Sequence, residues 1–156
     1  MAKKTLFRLE FETEYRVVGV FCPEKDYRLC WLLNSKMGYN FRRLPDFEQV
    51  SVEDKPSSFY SVFGFEIESL QRTFFLMNNR SSNGSRLFAS PPGLDYLMLV
   101  KADESRFNFS DLVKKIRTLP QVTASYLLDD VLGKNKGTFL YDFELYVSQK
   151  GKIQKN

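Results

Sequence analysis

Histidine is absent from all 156 residues. That excludes Ser–His and Cys–His nucleophile pairs, histidine zinc sites and histidine pH switches. Cysteine is nearly absent: Cys22 and Cys30 cannot form a disulfide framework in a chain this long, and both read as small buried thiols. No stretch approaches the ~18 consecutive apolar residues of a membrane span. The start, MAKKTLFRLEFETE, interrupts its apolar residues with Arg8, Glu10 and Glu12, so it lacks the apolar core of a signal peptide. A soluble cytoplasmic protein is expected. A dense basic stripe is also missing, since 23 Lys and Arg face 19 Asp and Glu for a net charge of +4.

What the chain has is rings. Fifteen Phe, eight Tyr and one Trp make 15% of the residues, which favours strands and a core of large side chains. With 43% hydrophobic and 27% charged residues the composition is that of a folded domain. One α+β domain over residues 1–149 and a basic C-terminal tail over 150–156 are expected.

Strands are predicted by alternation over Thr5 to Phe11, and by apolar character on both faces over Tyr15 to Cys22. Pro23, Glu24 and Asp26 open a helix that runs to Met37 and stops at Gly38. Weak strands are expected at Asn40 to Leu44 and Phe47 to Val52. A stronger one spans Ser58 to Ile67, with Thr73 to Asn78 returning antiparallel. NNRSSNGSR (Asn78 to Arg86) carries no apolar residue and reads as a mobile loop. Leu94 to Lys101 is a buried strand. Asn108 caps a second helix with Asp111 at its third position, Pro120 ends the run, and Val122 to Leu128 is another strand. Phe139, Tyr141, Phe143, Leu145 and Val147 alternate as a closing strand. Two strand–helix–strand units then put both helices on one face of a mainly antiparallel sheet. The expected fold is a two-layer α+β sandwich of ferredoxin-like character with extra strands.

Catalytic patterns are not found. The carboxylates that pair by sequence (Asp142 with Glu144, Asp129 with Asp130, Asp103 with Glu104) come from single segments and read as turn or edge charges. SSNGS and GKNKG lack the strand–loop–helix context of a phosphate loop and read as connections. SVFGFEI (Ser61 to Ile67) faintly resembles the strand signature of RNA-recognition motifs. It lacks the basic residue and glycine at its start and carries Glu66, so Phe63 and Phe65 read as core. No metal ligand set and no cofactor motif is identified, and no enzyme is expected.

DYRLCWLLN (Asp26 to Asn34), FASPPGLDYLMLV (Phe88 to Val100) and VKKIRTLPQVTASYLLD (Val113 to Asp129) follow one another in an order similar to the bacterial IPExxxVDY family of uncharacterised proteins. Leu94, Asp95 and Tyr96 resemble the Val-Asp-Tyr end of the naming motif, while Phe88, Ala89 and Ser90 stand where Ile-Pro-Glu belongs. The resemblance implies no activity, ligand or catalytic residue. It marks Asp26, Tyr27, Arg28, Asn34, Asp95 and Tyr96 as motif residues with a structural or functional role. Its association with genes for ribonuclease III and fatty-acid synthesis leaves an RNA-linked role as an alternative.

The expected function is a non-catalytic interaction or adaptor protein with a protein partner. RNA association is the alternative, through Lys3, Lys4, Arg42, Arg43, Lys134, Lys136, Lys150 and Lys152. Asp95, on a strand beside Leu97 and Leu99, is expected to accept backbone N–H bonds or to pair with a basic residue, and to anchor the SPPG loop (Ser90 to Gly93).

Overall fold

Val17, Val18 and Val20 are all buried, so β1 (Arg16–Phe21) needs cover on both faces, and the fold is arranged around that requirement. The computed structural model describes residues 15–50 and 56–153, so the strand expected at Thr5 to Phe11 lies outside the described residues. After Pro23 the chain enters α1 (Asp26–Met37), which buries Leu29, Cys30, Leu32 and Leu33 and stops at Gly38, held left-handed at φ 69°. The two weak strands expected next are one bulged strand, β2 (Arg42–Gln49), whose register shifts between Leu44 and Phe47. Pro45 sits within that irregularity on an edge strand, where a missing N–H breaks no ladder bond.

β3 (Ser58–Ile67) turns through a 3-10 segment, Glu68–Leu70, into β4 (Arg72–Asn78). β5 (Tyr96–Lys101) follows, then α2 (Phe109–Arg117), whose cap Asn108 accepts the Asp111 N–H at 3.0 Å as its sequence predicts. β6 (Ala124–Leu127), a short α3 (Asp129–Leu132) and a long α4 (Lys134–Gln149) complete the chain. The described strands form one six-stranded sheet in the order β2-β3-β4-β5-β1-β6, antiparallel throughout.

One face carries Val18, Val20, Leu76, Met98 and Val100 beneath α1 and α2, as two crossovers onto the same side require. The other face carries Val17, Tyr60, Phe75, Met77, Leu97 and Leu99. The expected closing strand would have left that face bare. Instead, Phe139 to Val147 belongs to α4, and GKNKG is not a loop but its first turns. Phe139, Leu140, Phe143 and Tyr146 are buried at helical spacing, whereas Tyr141 and Leu145, which a strand would bury beside Phe143, are 69% and 47% exposed. An apolar run fits both periods, and the uncovered sheet face decides between them. Helices therefore lie on both sides of the sheet, one layer more than the sequence leads one to expect.

α3 and α4 are tied to the sheet by Asp129. Its carboxylate lies 2.6 Å from Lys136 Nζ and accepts the Val17 N–H at 3.3 Å. Arg16 Nε stands 3.2 Å away, close enough for charge attraction but outside hydrogen-bonding geometry. At the far end the Tyr146 hydroxyl donates to the Pro45 carbonyl. The Gly151 N–H donates to the Tyr146 carbonyl at 3.0 Å, and a Cβ at Gly151 would meet the Tyr146 ring. The residues expected as a tail thus turn back onto the helix at their start.

Candidate functional site

Three of the six motif residues meet. Asp26, Asp95 and Tyr96 line a cleft of about 550 Å³ together with Arg43, Phe59 and Arg80. The cleft lies where β1 runs into α1 and β5 begins. Asp95 Oδ2 accepts the Cys22 N–H at 2.8 Å, so the carboxylate satisfies a backbone donor as expected. What it holds is the end of β1, not the SPPG loop. The Tyr96 hydroxyl donates to the Glu24 carbonyl, and burial, then the nearby Asp26 charge, push its pKa up, which keeps it a donor. Asp26 accepts the Tyr27 N–H at 2.7 Å. Asp95→Ala is expected to cost about 1–2 kcal/mol through the donor left behind, and Asp95→Asn, which keeps an acceptor, less than half of that. Urea melts of the two variants check this ordering.

Asn34 lies elsewhere, as a clamp. Its Oδ1 accepts the Phe41 N–H at 2.8 Å and its Nδ2 donates to the Phe41 carbonyl at 3.1 Å, closing the turn from α1 into β2. Tyr27 and Arg28 point outward from α1, where the Arg28 guanidinium stands 5.5 Å over the Trp31 ring.

The residue that pins the SPPG loop is Asn79, which sequence reasoning missed inside a segment expected to be mobile. Asn79 is fully buried. Its Nδ2 donates to the carbonyls of Phe88 and Leu94, both at 2.9 Å, and its Oδ1 accepts the Phe88 N–H at 2.9 Å. Around it Ser81 is buried, the Ser81 N–H donates to the Ser85 carbonyl at 2.8 Å, and Arg80 bridges to Arg86. Polarity marked this segment as a loop. Nothing local distinguished the one amide that enters the core.

The eight cations expected to contact nucleic acid separate into groups. Lys3 and Lys4 lie outside the described residues. Arg42, Arg43, Lys150 and Lys152, distant in sequence, line one cleft of about 540 Å³ with Glu66 and Glu68. Lys134 and Lys136 begin α4, roughly 24 Å from its other end at 1.5 Å per residue. Lys136 is engaged by Asp129.

No family model, curated protein or solved structure matches this chain. The site therefore stands on its chemistry alone. Burial pushes the Cys30 thiol up to about 11 and raises that of Cys22, so neither is a thiolate at neutral pH. Asp142 and Glu144, expected on one strand face, are exposed on α4. Phe63 and Phe65 of SVFGFEI are buried, and only Phe59 on that strand presents a half-exposed ring. Among the described residues no group of three His, Cys, Asp or Glu is placed to hold a metal ion, and no helix is long and apolar enough to cross a membrane.

Proposed function

We propose that this chain is a non-catalytic interaction protein of the cytoplasm that receives a protein partner on α1, and that it is a divergent relative of the IPExxxVDY proteins. The observation that carries the reading is the outward face of α1. Tyr27 and Trp31, one turn apart, are 64% and 57% exposed, and Arg28 stacks on Trp31. Trp, Tyr and Arg are the residues that dominate protein-interface energetics, and Trp31 is the only tryptophan in the chain. A large ring held in water by a structured helix gains nothing for the fold. The strand order β4-β5-β1-β6 under α1 and α2 supports a two-layer unit of ferredoxin-like character, with β2, β3, α3 and α4 as additions.

Trp31→Ala and Tyr27→Ala are each expected to leave stability within about 0.5 kcal/mol of the parent. Partner affinity should fall about thirtyfold for Trp31→Ala, the effect of losing a ~2 kcal/mol anchor. The measurement is affinity capture from the native cytoplasm, followed by titration of the captured protein against both variants. A partner held equally by parent and Trp31→Ala overturns the reading.

A second reading, RNA association, is favoured by the convergence of Arg42, Arg43, Lys150 and Lys152 on one cleft. Two chain segments more than a hundred residues apart supply these charges.

A further inference from the structure

The basic cleft has chemistry that deepens the RNA reading, and the inference rests on that reading. Arg42, Lys150 and Lys152 are exposed and make no ion pair among the described residues. Arg43 pairs with Asp46 and remains half exposed. Four cations line the cleft against the two carboxylates of Glu66 and Glu68, so its net charge is positive and attracts an anion.

Geometry narrows the anion. Neighbours on a strand point to opposite faces, so Arg42 and Arg43 leave the β2 edge on its two sides although both line the cleft, a spread that suits successive phosphates of one chain. Arg43 also lines the first cleft, where Phe59 offers a 44% exposed ring and the buried Ser61 hydroxyl has no partner. A ring beside a cation is a platform for a base. Among the described residues, none of the large exposed apolar side chains lines the basic cleft, which argues against a lipid surface as its occupant. Stacking on Phe59 needs a base free of a pairing partner, which favours one strand over a duplex.

We infer that single-stranded RNA crosses the β2 edge, with its phosphates on Arg42, Lys150 and Lys152, a base on Phe59, and Arg43 between the two clefts. The test is fluorescence anisotropy of a labelled oligouridylate with the full chain over a range of salt. Three to four phosphate contacts give a log–log salt slope of about −2 to −3. The Lys150→Ala/Lys152→Ala double variant is expected to flatten that slope by about 1.4. Phe59→Ala is expected to weaken binding about fivefold or more with the slope unchanged. All three side chains are exposed, and thermal melts confirm that the variants fold. RNA binding unmoved by these substitutions overturns the site and leaves RNA association standing. No binding to the oligouridylate overturns both. Displacement of the oligouridylate by inorganic phosphate at equal concentration, or equal binding to vesicles of anionic lipid, assigns the cleft to another anion and overturns the inference.

Discussion

Asn79→Ala is expected to lower the unfolding free energy by about 3–5 kcal/mol. The amide makes three hydrogen bonds at 2.9 Å with no access to water. Alanine leaves the Phe88 carbonyl and N–H buried and unmet, each costing about 1–3 kcal/mol before local relaxation, and leaves the Leu94 carbonyl with only the Arg86 guanidinium at 3.4 Å. Asn79→Asp keeps the acceptor for Phe88 N–H but turns oxygen toward two carbonyls, so it is expected to be no milder. Urea unfolding with an unchanged m-value reads the effect. A loss below about 1 kcal/mol for Asn79→Ala would show that the loop from Phe88 to Leu94 holds its course without this residue.

Phe143→Ala is expected to cost about 3–5 kcal/mol, as deletion of a fully buried ring does. The ring is fully buried and sits 5.0 Å from Phe75, 5.5 Å from Tyr146, 5.7 Å from Tyr15 and 5.8 Å from Phe139, centroid to centroid. Tyr141→Ala, two residues away and mostly exposed, is expected to stay within about 0.5 kcal/mol. The contrast is a direct test of α4. In a strand the two side chains would share a face and their losses would be alike. Thermal or denaturant melts of the pair distinguish a helical from an extended closing segment.

Where local rules and tertiary demand agree, the elements are legible from residues alone. β1, α1, β3, β4 and α2 follow from their patterns and caps, because Pro23, Gly38, Asn108 and Pro120 each have one conformational consequence. The segment from Phe139 to Val147 does not, since its apolar residues satisfy period two and period 3.6 together, and only the bare face of Phe75 and Leu97 selects the helix. From sequence Pro45 reads as a terminator that divides β2, whereas on an edge strand it is absorbed in a bulge. The candidate site was half legible. Asp26, Asp95 and Tyr96 carry the motif resemblance and meet in one cleft, but Arg43, Phe59 and Arg80 join them only through sheet register. Asn79 was invisible for a different reason: its role depends on two carbonyls supplied nine and fifteen residues later.

The layer formed by α3 and α4 has a consequence for synthesis. The chain emerges from the ribosome in order, and every described strand is available once β6 has emerged. Among the described residues, the face bearing Tyr60, Phe75, Met77 and Leu97 then lacks the cover of α4 until the residues up to Tyr146 follow, and the Asp129 carboxylate that fastens them to β1 precedes its partner Lys136. At roughly 5–20 residues per second that interval is about one to four seconds, long compared with hydrophobic collapse, which takes up to about 10–100 μs in chains of this size. A nascent chain halted after β6 presents a broad aromatic sheet face to its surroundings, and is the form of this protein with the greatest need of a chaperone.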